Sequence, residues 1–188
     1  MGMVLNLMAV RVRGAEFLSV LQKEYGLQPE TPERFVIVSE SSEFVEDTEL
    51  RDWGAVEYSQ RFGEAIFVWY YDGGAGELCG SILYEHAVEG RIVRALGYSP
   101  NLWGDELPDP ERLLWRRVEG VPESWEKTAF PFAEAELNEA LAEAESYGSP
   151  SADDVRRAWA LGTFSEGAYF PGNAQDRLLG AVRRHFNF

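Results

Sequence analysis

Histidine and cysteine are scarce in this 188-residue chain, which has two histidines, His86 and His185, and one cysteine, Cys79. A lone cysteine cannot form an intramolecular disulfide or the thiolate cluster of a structural zinc site. A two-histidine metal site would need carboxylates brought together from distant segments. These shortages exclude most familiar catalytic and metal-binding arrangements, so we predict no catalytic residue, no metal and no cofactor.

Basic residues are also few, because 17 lysines and arginines stand against 32 aspartates and glutamates, for a formal net charge of −15. Phosphate backbones and anionic membranes repel such a chain, so the sequence predicts neither a nucleic-acid nor a membrane partner. Any macromolecular partner is expected to be basic. Solubility is the competing explanation of the charge, since net charge acts on solubility before it acts on specific recognition.

Long apolar runs are missing. Asn6, Arg11 and Arg13 interrupt the apolar stretch near the amino terminus, which also lacks the leading basic residue of a signal peptide. With no export signal and a single cysteine, the cytoplasm is the predicted compartment. A hydrophobic content of 45% with many aromatics predicts a folded core rather than disorder.

Residue alternation and turn residues predict an α+β fold built on an antiparallel sheet, with a meander at about residues 64–119. Residues 65–71 are apolar on both faces, which is typical of a central strand. Further strands are predicted at 4–12, 35–38, 78–86, 91–98 and 113–118. Between the strands at 4–12 and 35–38, a helix is predicted that ends at Gly26. Residues 48–62 fit both helical and strand patterns, and we predict a helix there.

Helical spacing dominates after Phe132. Three helices are predicted, and Ser151 and Asn173 are the expected amino-terminal caps of the last two. We expect residues 1–132 to form the sheet domain and residues 133–188 to form a helical section packed on it as one compact unit.

Several local patterns favour plain structure over a site. A strand follows the glycines of residues 73–76, which indicates a hairpin turn, since a phosphate-binding loop would open a helix. Cys79 and His86 are seven residues apart on one predicted strand and point to opposite faces, so they do not form a dyad. We expect His86 to be solvated at a hairpin end. A solvated loop is also preferred to a calcium site for four acidic residues: Asp105, Glu106, Asp109 and Glu111.

Arg94 stands among apolar residues on a predicted strand. The two-residue period places three more residues on its face: Ile92, Leu96 and Tyr98. An arginine buried there needs a carboxylate partner, and the segment 115–126 offers Glu119 and Glu126. We predict that Arg94 pairs with Glu126 and fastens a short helix beginning at Pro122 to the sheet.

The same region supplies the candidate binding residues, which are Arg94, Tyr98, Trp103, Trp115, Trp125 and Glu126. Exposed indoles often anchor interfaces, so Trp103, Trp115 and Trp125 are alternatively interpreted as a recognition surface. The structural interpretation is preferred, because buried ion pairs also serve structure.

These residues also carry a resemblance. The runs 90–98 and 118–126, with Trp115 between them, are similar to a pattern in uncharacterised bacterial proteins. The resemblance implies a bacterial origin and carries no activity.

Three functional hypotheses follow. The first is a non-enzymatic interaction protein, similar to an immunity protein or antitoxin, whose acidic face neutralises a basic partner. The second is a small-molecule-binding protein or a carboxylate-based hydrolase with a cleft beside the sheet. The third is a structural subunit whose strands pair between chains.

Overall fold

The structure of the chain, a computed structural model, describes residues 4–28, 34–41, 54–71, 81–98, 115–126, 137–138, 141–142, 145, 151–161 and 174–187. The strands are β1 (Val4–Val12), β2 (Val36–Ser41), β3 (Gly63–Tyr71), β4 (Ser81–Val88), β5 (Arg91–Tyr98) and β6 (Trp115–Gly120). The bounded helices are α1 (Ala15–Tyr25), α2 (Ala55–Phe62), α3 (Ala152–Leu161) and α4 (Ala174–Phe186). Residues 137–138, 141–142 and 145 are also helical.

The six strands form one antiparallel sheet in the order β2-β1-β3-β4-β5-β6. Consecutive strands from β3 to β6 are neighbours, as the predicted meander requires. The α+β fold with an antiparallel sheet is therefore confirmed.

Side-chain alternation along the strands divides the core between the two faces of the sheet. One face, called the α4 face below, has a buried cluster of Leu5, Leu7, Ile66, Val68, Ile82, Tyr84, Leu96, Trp125, Leu178, Leu179 and Val182. The other face, called the α2 face, has a buried cluster of Met8, Val10, Val12, Leu21, Ala55, Phe62, Phe67, Trp69 and Ala87. Because β3 contributes buried side chains to both clusters, it is the central strand that its sequence predicts.

The helices α1 to α4 occur where the sequence places helices, with one boundary moved, but the short helix predicted to begin at Pro122 does not begin there, since Ser124 and Trp125 form a turn and helical structure starts only at Glu126. α1 ends at Gly26, whose φ of 67° is the left-handed conformation that glycine adopts freely. Within the predicted 48–62 helix, the described part is helical from Ala55. There the amide N–H of Ala55 donates to the carboxylate of Glu85 at 3.0 Å, because Gly54 has no side chain to cap the helix. In the described parts of the chain, no helix is both long and apolar enough to cross a bilayer.

A β-bulge in β5 corrects one expectation. Ala87 pairs with Ile92 but His86 pairs with Arg94, so β5 has one extra residue, Val93, at this point. The extra residue reverses the alternation. Ile92 therefore packs on the α2 face, whereas Leu96 lies on the α4 face, so the prediction that Ile92 shares a face with Arg94 and Leu96 was wrong.

The two ends of the sheet are defined by the strand termini that lie at each of them. We call one end the Tyr71 end, and its strand termini are Val4, Ser41, Tyr71, Ser81, Tyr98 and Trp115. The opposite end is the Gly63 end, and its termini are Val12, Val36, Gly63, Val88, Arg91 and Gly120. The predicted turn at 72–76, Cys79 and the loop at 100–110 lie outside the described residues.

Candidate functional site

Six ionisable residues form a connected cluster on the α4 face near the Gly63 end of the sheet. We call it the charge network, and its members are Arg11, Glu64, His86, Arg94, Glu123 and Glu126. Four of them belong to the adjacent strands β1, β3, β4 and β5, and the two others belong to the segment 121–126 that follows β6. The network therefore joins that segment to the middle of the sheet.

Glu64 is the acidic centre of the network on β3 and is 2% exposed. Its carboxylate accepts hydrogen bonds from Arg11 Nε at 2.7 Å, from Arg13 Nη2 at 3.0 Å and from His86 Nε2 at 2.9 Å. Burial alone would raise the pKa of Glu64, but the hydrogen bonds from His86 and Arg11 outweigh it and lower the pKa to about 2. Glu64 is therefore ionised at neutral pH.

His86 lies between two carboxylates. Its Nδ1 is 2.5 Å from Glu123 Oε1 and its Nε2 is 2.9 Å from Glu64 Oε1, so both nitrogens need a proton to donate. Burial would lower the pKa of His86, but the hydrogen bonds to Glu123 and Glu64 raise it to about 9. Its ring also meets Phe35 and Phe186 edge to face. With 7% exposure, His86 is a buried imidazolium, and the prediction of a solvated histidine was wrong.

Glu123 attaches the segment 121–126 to β4. Its carboxylate accepts hydrogen bonds from Tyr84 Oη at 2.5 Å and from the indole Nε1 of Trp125 at 2.8 Å, besides the one from His86. Burial would raise the pKa of Glu123, yet the interaction with His86 lowers it. Burial and the neighbouring Glu123 charge raise the pKa of Tyr84 well above its ordinary value. The phenol thus stays a neutral donor.

Arg94 and Glu126 form the ion pair that the sequence predicts. Arg94 Nε and Nη2 donate to the two carboxylate oxygens of Glu126 at 2.8 and 2.7 Å, in a bidentate pair that is 1% exposed on each side chain. Arg94 Nη1 also donates to the carbonyls of Glu119 and Gly120. Glu126 in turn accepts from the backbone N–H of Glu123, which is the reach-back contact of a capping box. The pair therefore holds both the end of β6 and the following turn.

The protonation states decide what this cluster can do. Paired-carboxylate hydrolysis needs one acid whose pKa is raised so that it can donate a proton near neutral pH. Here the pKa values of Glu64 and Glu123 are lowered, and that of His86 is raised. Each group is therefore mainly in its charged form at neutral pH, and these paired charges attach the segment 121–126 to the sheet.

The candidate binding residues have different locations. Trp125 is 1% exposed and packs edge to face against Tyr84, so its indole belongs to the core and does not line a surface. The reason is that Glu123 and Glu126 hold this turn against the sheet. Tyr98 of β5 lies opposite Trp115 of β6 in the register of the sheet. Trp103 lies outside the described residues, and its role in recognition stays a prediction.

Sequence reasoning missed the Glu64–His86–Glu123 bridge. A signal was available, because Ile82, Tyr84 and His86 alternate along one face of β4 beside a central strand. That alternation indicates burial. In the described part of the chain, no three His, Cys, Asp or Glu side chains are placed to hold a metal ion.

A second feature is the uneven distribution of charge along the chain. The described residues include 14 acidic and 14 basic side chains, so the remaining 18 acidic and three basic ones lie outside them. Three of the intervening segments, 42–53, 72–80 and 99–114, contain 11 acidic and two basic residues. Each follows a strand that terminates at the Tyr71 end. Neighbouring strands are about 4.8 Å apart, so these strand termini lie within about 24 Å of one another.

Comparison with known proteins identifies no relative, since no family model, no curated protein and no solved structure matches the chain.

Proposed function

We propose that the chain is a non-enzymatic interaction protein that binds a basic protein partner at the Tyr71 end of its sheet, in the manner of an immunity protein or antitoxin. The observation that carries this proposal is the convergence of strand termini. Ser41, Tyr71 and Tyr98 each lead from that end into an acidic segment, and the three segments together have a net charge of −9.

The equal numbers of acidic and basic side chains among the described residues support the proposal. The charge network pairs its carboxylates with Arg11, Arg94 and His86 in the interior. Because the described residues have equal numbers of acidic and basic side chains, the net charge arises in the segments between them. Charge of one sign gathered in one region attracts an oppositely charged protein from a distance and raises its rate of association.

The alternative of a carboxylate-based hydrolase has its best candidate pair in Glu64 and Glu123, which contact the same imidazole ring. Both have lowered pKa values, and both already accept several hydrogen bonds. These observations favour a structural role for the pair and leave the interaction proposal as the better supported one.

The experiment is affinity capture from the native cell at low salt with three immobilised proteins. They are the wild type, an acidic-segment variant (Glu43→Gln, Glu46→Gln and Asp47→Asn) and a control with three exposed body residues neutralised (Glu57→Gln, Glu89→Gln and Asp153→Asn). We expect the wild type and the control to retain the same basic protein and the acidic-segment variant to retain at least about threefold less of it. The physical reason is that each close charge pair contributes about 0.2–1 kcal/mol in an exposed setting.

Two results contradict the proposal. The first is that no basic protein is retained at low salt, where the attraction is strongest. The second is that the acidic-segment variant and the control lose equal amounts of the captured protein, because the attraction would then follow total charge and not its location.

A further inference from the structure

We propose that the segment 121–126, which we call the latch, is a pH-sensitive device that stays closed on the sheet while both ring nitrogens of His86 carry a proton and opens when one of these protons is lost. Opening uncovers the indole of Trp125 and the phenol of Tyr84, which are both buried on the α4 face when the latch is closed. The latch lies near the Gly63 end of the sheet, so the proposal is independent of a basic partner bound at the Tyr71 end.

The imidazole ring of His86 joins the latch to the sheet through both of its nitrogens. Nε2 is 2.9 Å from the carboxylate of Glu64 on β3, and Nδ1 is 2.5 Å from the carboxylate of Glu123 in the latch. An ionised carboxylate can only accept a hydrogen bond, so each contact needs a proton on the nitrogen. A neutral imidazole has a single N–H, and the lone pair of its other nitrogen would face a negative charge. Deprotonation of His86 therefore breaks one of the two contacts.

The contact that breaks is the one to Glu123. Glu64 belongs to β3, which is paired with a strand on each side, and its carboxylate also accepts from Arg11. Glu123 follows the last strand and has no ladder to hold its backbone. Its hydrogen bond from Trp125 lies within the latch, so on the sheet the Tyr84 hydroxyl is the donor that remains to it among the described contacts. The latch can therefore move away from His86, whereas β3 cannot.

The start of the latch allows this movement. Val121 is 79% exposed, and Pro122 after it is exposed as well, so neither is packed against the sheet. Arg94 holds both sides of this point. Its contact with the Gly120 carbonyl keeps the end of β6 on the sheet, and its pair with Glu126 opposes opening. The latch is therefore closed while the contact with His86 is intact.

Charged groups reach His86 from several elements. β3 contributes Glu64, the latch contributes Glu123, and β5 contributes Arg94, which lies opposite His86 in the register. The groups that reach it indirectly, through these side chains or through the Phe186 ring, are Arg11, Arg13, Tyr84, Glu126 and His185. The two carboxylates are the groups that contact the ring, so opening removes one of the two charges that hold its second proton.

The direction of the pH effect follows from this arrangement. Burial would lower the pKa of His86, but the two carboxylates raise it from 6.5 to about 9 when the latch is closed. Opening takes Glu123 away and lowers the pKa again, so the open form loses its proton at a lower pH than the closed form. Opening therefore increases as the pH rises from neutrality toward 9 and levels off above it. Because one proton is released, the equilibrium changes at most about tenfold per pH unit.

Hydrogen exchange followed by NMR between pH 7 and pH 9 tests the latch. Three protons report its opening, which are the indole N–H of Trp125 and the backbone N–H groups of Glu123 and Glu126. After correction for the intrinsic exchange rate at each pH, we expect their protection to fall at least about tenfold over this range. The amides of β3 report unfolding of the whole chain and should stay at least about tenfold better protected at every pH, since the sheet remains folded when the latch opens.

Histidine variants separate the latch from other effects of pH. In His86→Gln the side chain cannot titrate, so the latch protons should be less protected at pH 7 and should lose no further protection up to pH 9. His185→Gln removes the exposed second histidine and is the matched control, which should behave as the wild type. Glu123→Gln is a further variant that keeps His86. Its neutral amide no longer holds the Nδ1 proton, so the fall in protection with pH should be smaller than in the wild type.

The proposal is overturned if the latch protons are as well protected as the β3 amides at every pH, because their exchange would then require unfolding of the whole chain. It is also overturned if their protection in the wild type is the same at pH 7 and pH 9, or if His86→Gln and His185→Gln show equal falls. None of these measurements involves the basic partner, so failure of this proposal and failure of the proposed function are distinguishable.

Discussion

Burial and pairing act in opposite directions on the ionisable residues of the charge network. Burial disfavours the charged forms of Glu64 and His86, whereas the hydrogen bonds of His86 to Glu123 and Glu64, and of Arg11 to Glu64, favour those forms. Pairing prevails at both residues, so each stays charged at neutral pH. The chain thereby uses one of its two histidines as a structural cation.

The pH dependence of stability tests this assignment. The pKa of His86 rises from 6.5 to about 9 on folding, so its contribution is fully present below pH 6.5 and is lost as the pH rises through about 9. The contribution is on the order of 3 kcal/mol. We expect the free energy of unfolding of the wild type to fall between pH 7 and pH 10, measured by urea denaturation.

His86→Gln is the control for that measurement, because the variant cannot titrate at this position. It should be less stable than the wild type at pH 7 and should converge with it as the pH increases. Parallel curves over the whole range would contradict the assignment, as would a wild-type His86 that titrates near 6.5 by NMR.

The Arg94–Glu126 pair gives a second prediction at this scale. Glu126→Gln keeps the shape of the side chain but leaves the Arg94 charge uncompensated in the interior, so we expect a loss of about 3–5 kcal/mol in the free energy of unfolding. Asp153→Asn removes one side of the exposed Arg156–Asp153 pair and should cost less than about 1 kcal/mol. Equal effects of the two changes would show that the buried pair contributes no more than a surface pair.

At the level of elements, the junction of β6 with the segment 121–126 depends on one glycine. Gly120 has a φ of 79°, and a Cβ added there would lie 2.0 Å from the carbonyl oxygen of Val93. The Val93 carbonyl belongs to the bulge in β5, and Arg94 holds the backbone at Gly120 through the carbonyls of Glu119 and Gly120. The close approach brings the Glu119 and Gly120 carbonyls within reach of the Arg94 guanidinium.

Gly120→Ala should therefore cost at least about 2 kcal/mol, since the residue must leave a left-handed conformation and also displace backbone. Gly26→Ala is a matched control, because Gly26 has a similar φ of 67° but no atom within 4 Å of the added Cβ. We expect it to cost only about 1 kcal/mol. Chemical denaturation of both variants measures the difference, and equal losses would exclude the steric contribution at Gly120.

The elements also show what could be predicted from the sequence. The two-residue alternation predicts most strands, and the need of a buried arginine for a carboxylate predicts the Arg94–Glu126 pair. Two features could not be predicted that way. The bulge at Val93 is set by the ladder with β4 and not by local composition. The burial of His86 depends on Phe35 and Phe186, which reach it from distant parts of the chain.

At the level of the whole molecule, the described residues and the segments between them differ in net charge. The described residues are balanced, and their most buried charges are paired within the network. The excess negative charge belongs to the intervening segments, and three of these follow strands that terminate at the Tyr71 end. Composition alone predicts an acidic protein, but the end of the sheet from which each acidic segment leaves follows only from the strand order and register.

The most direct test of this account is the salt dependence of binding between the purified chain and the basic protein recovered with it, measured by calorimetry. We expect the affinity of the wild type to fall at least tenfold as salt screens the attraction. In the Glu43→Gln, Glu46→Gln and Asp47→Asn variant, binding at low salt should be weaker and should depend less on salt. An affinity that is independent of salt, or equal in the variant and the wild type, would contradict the account.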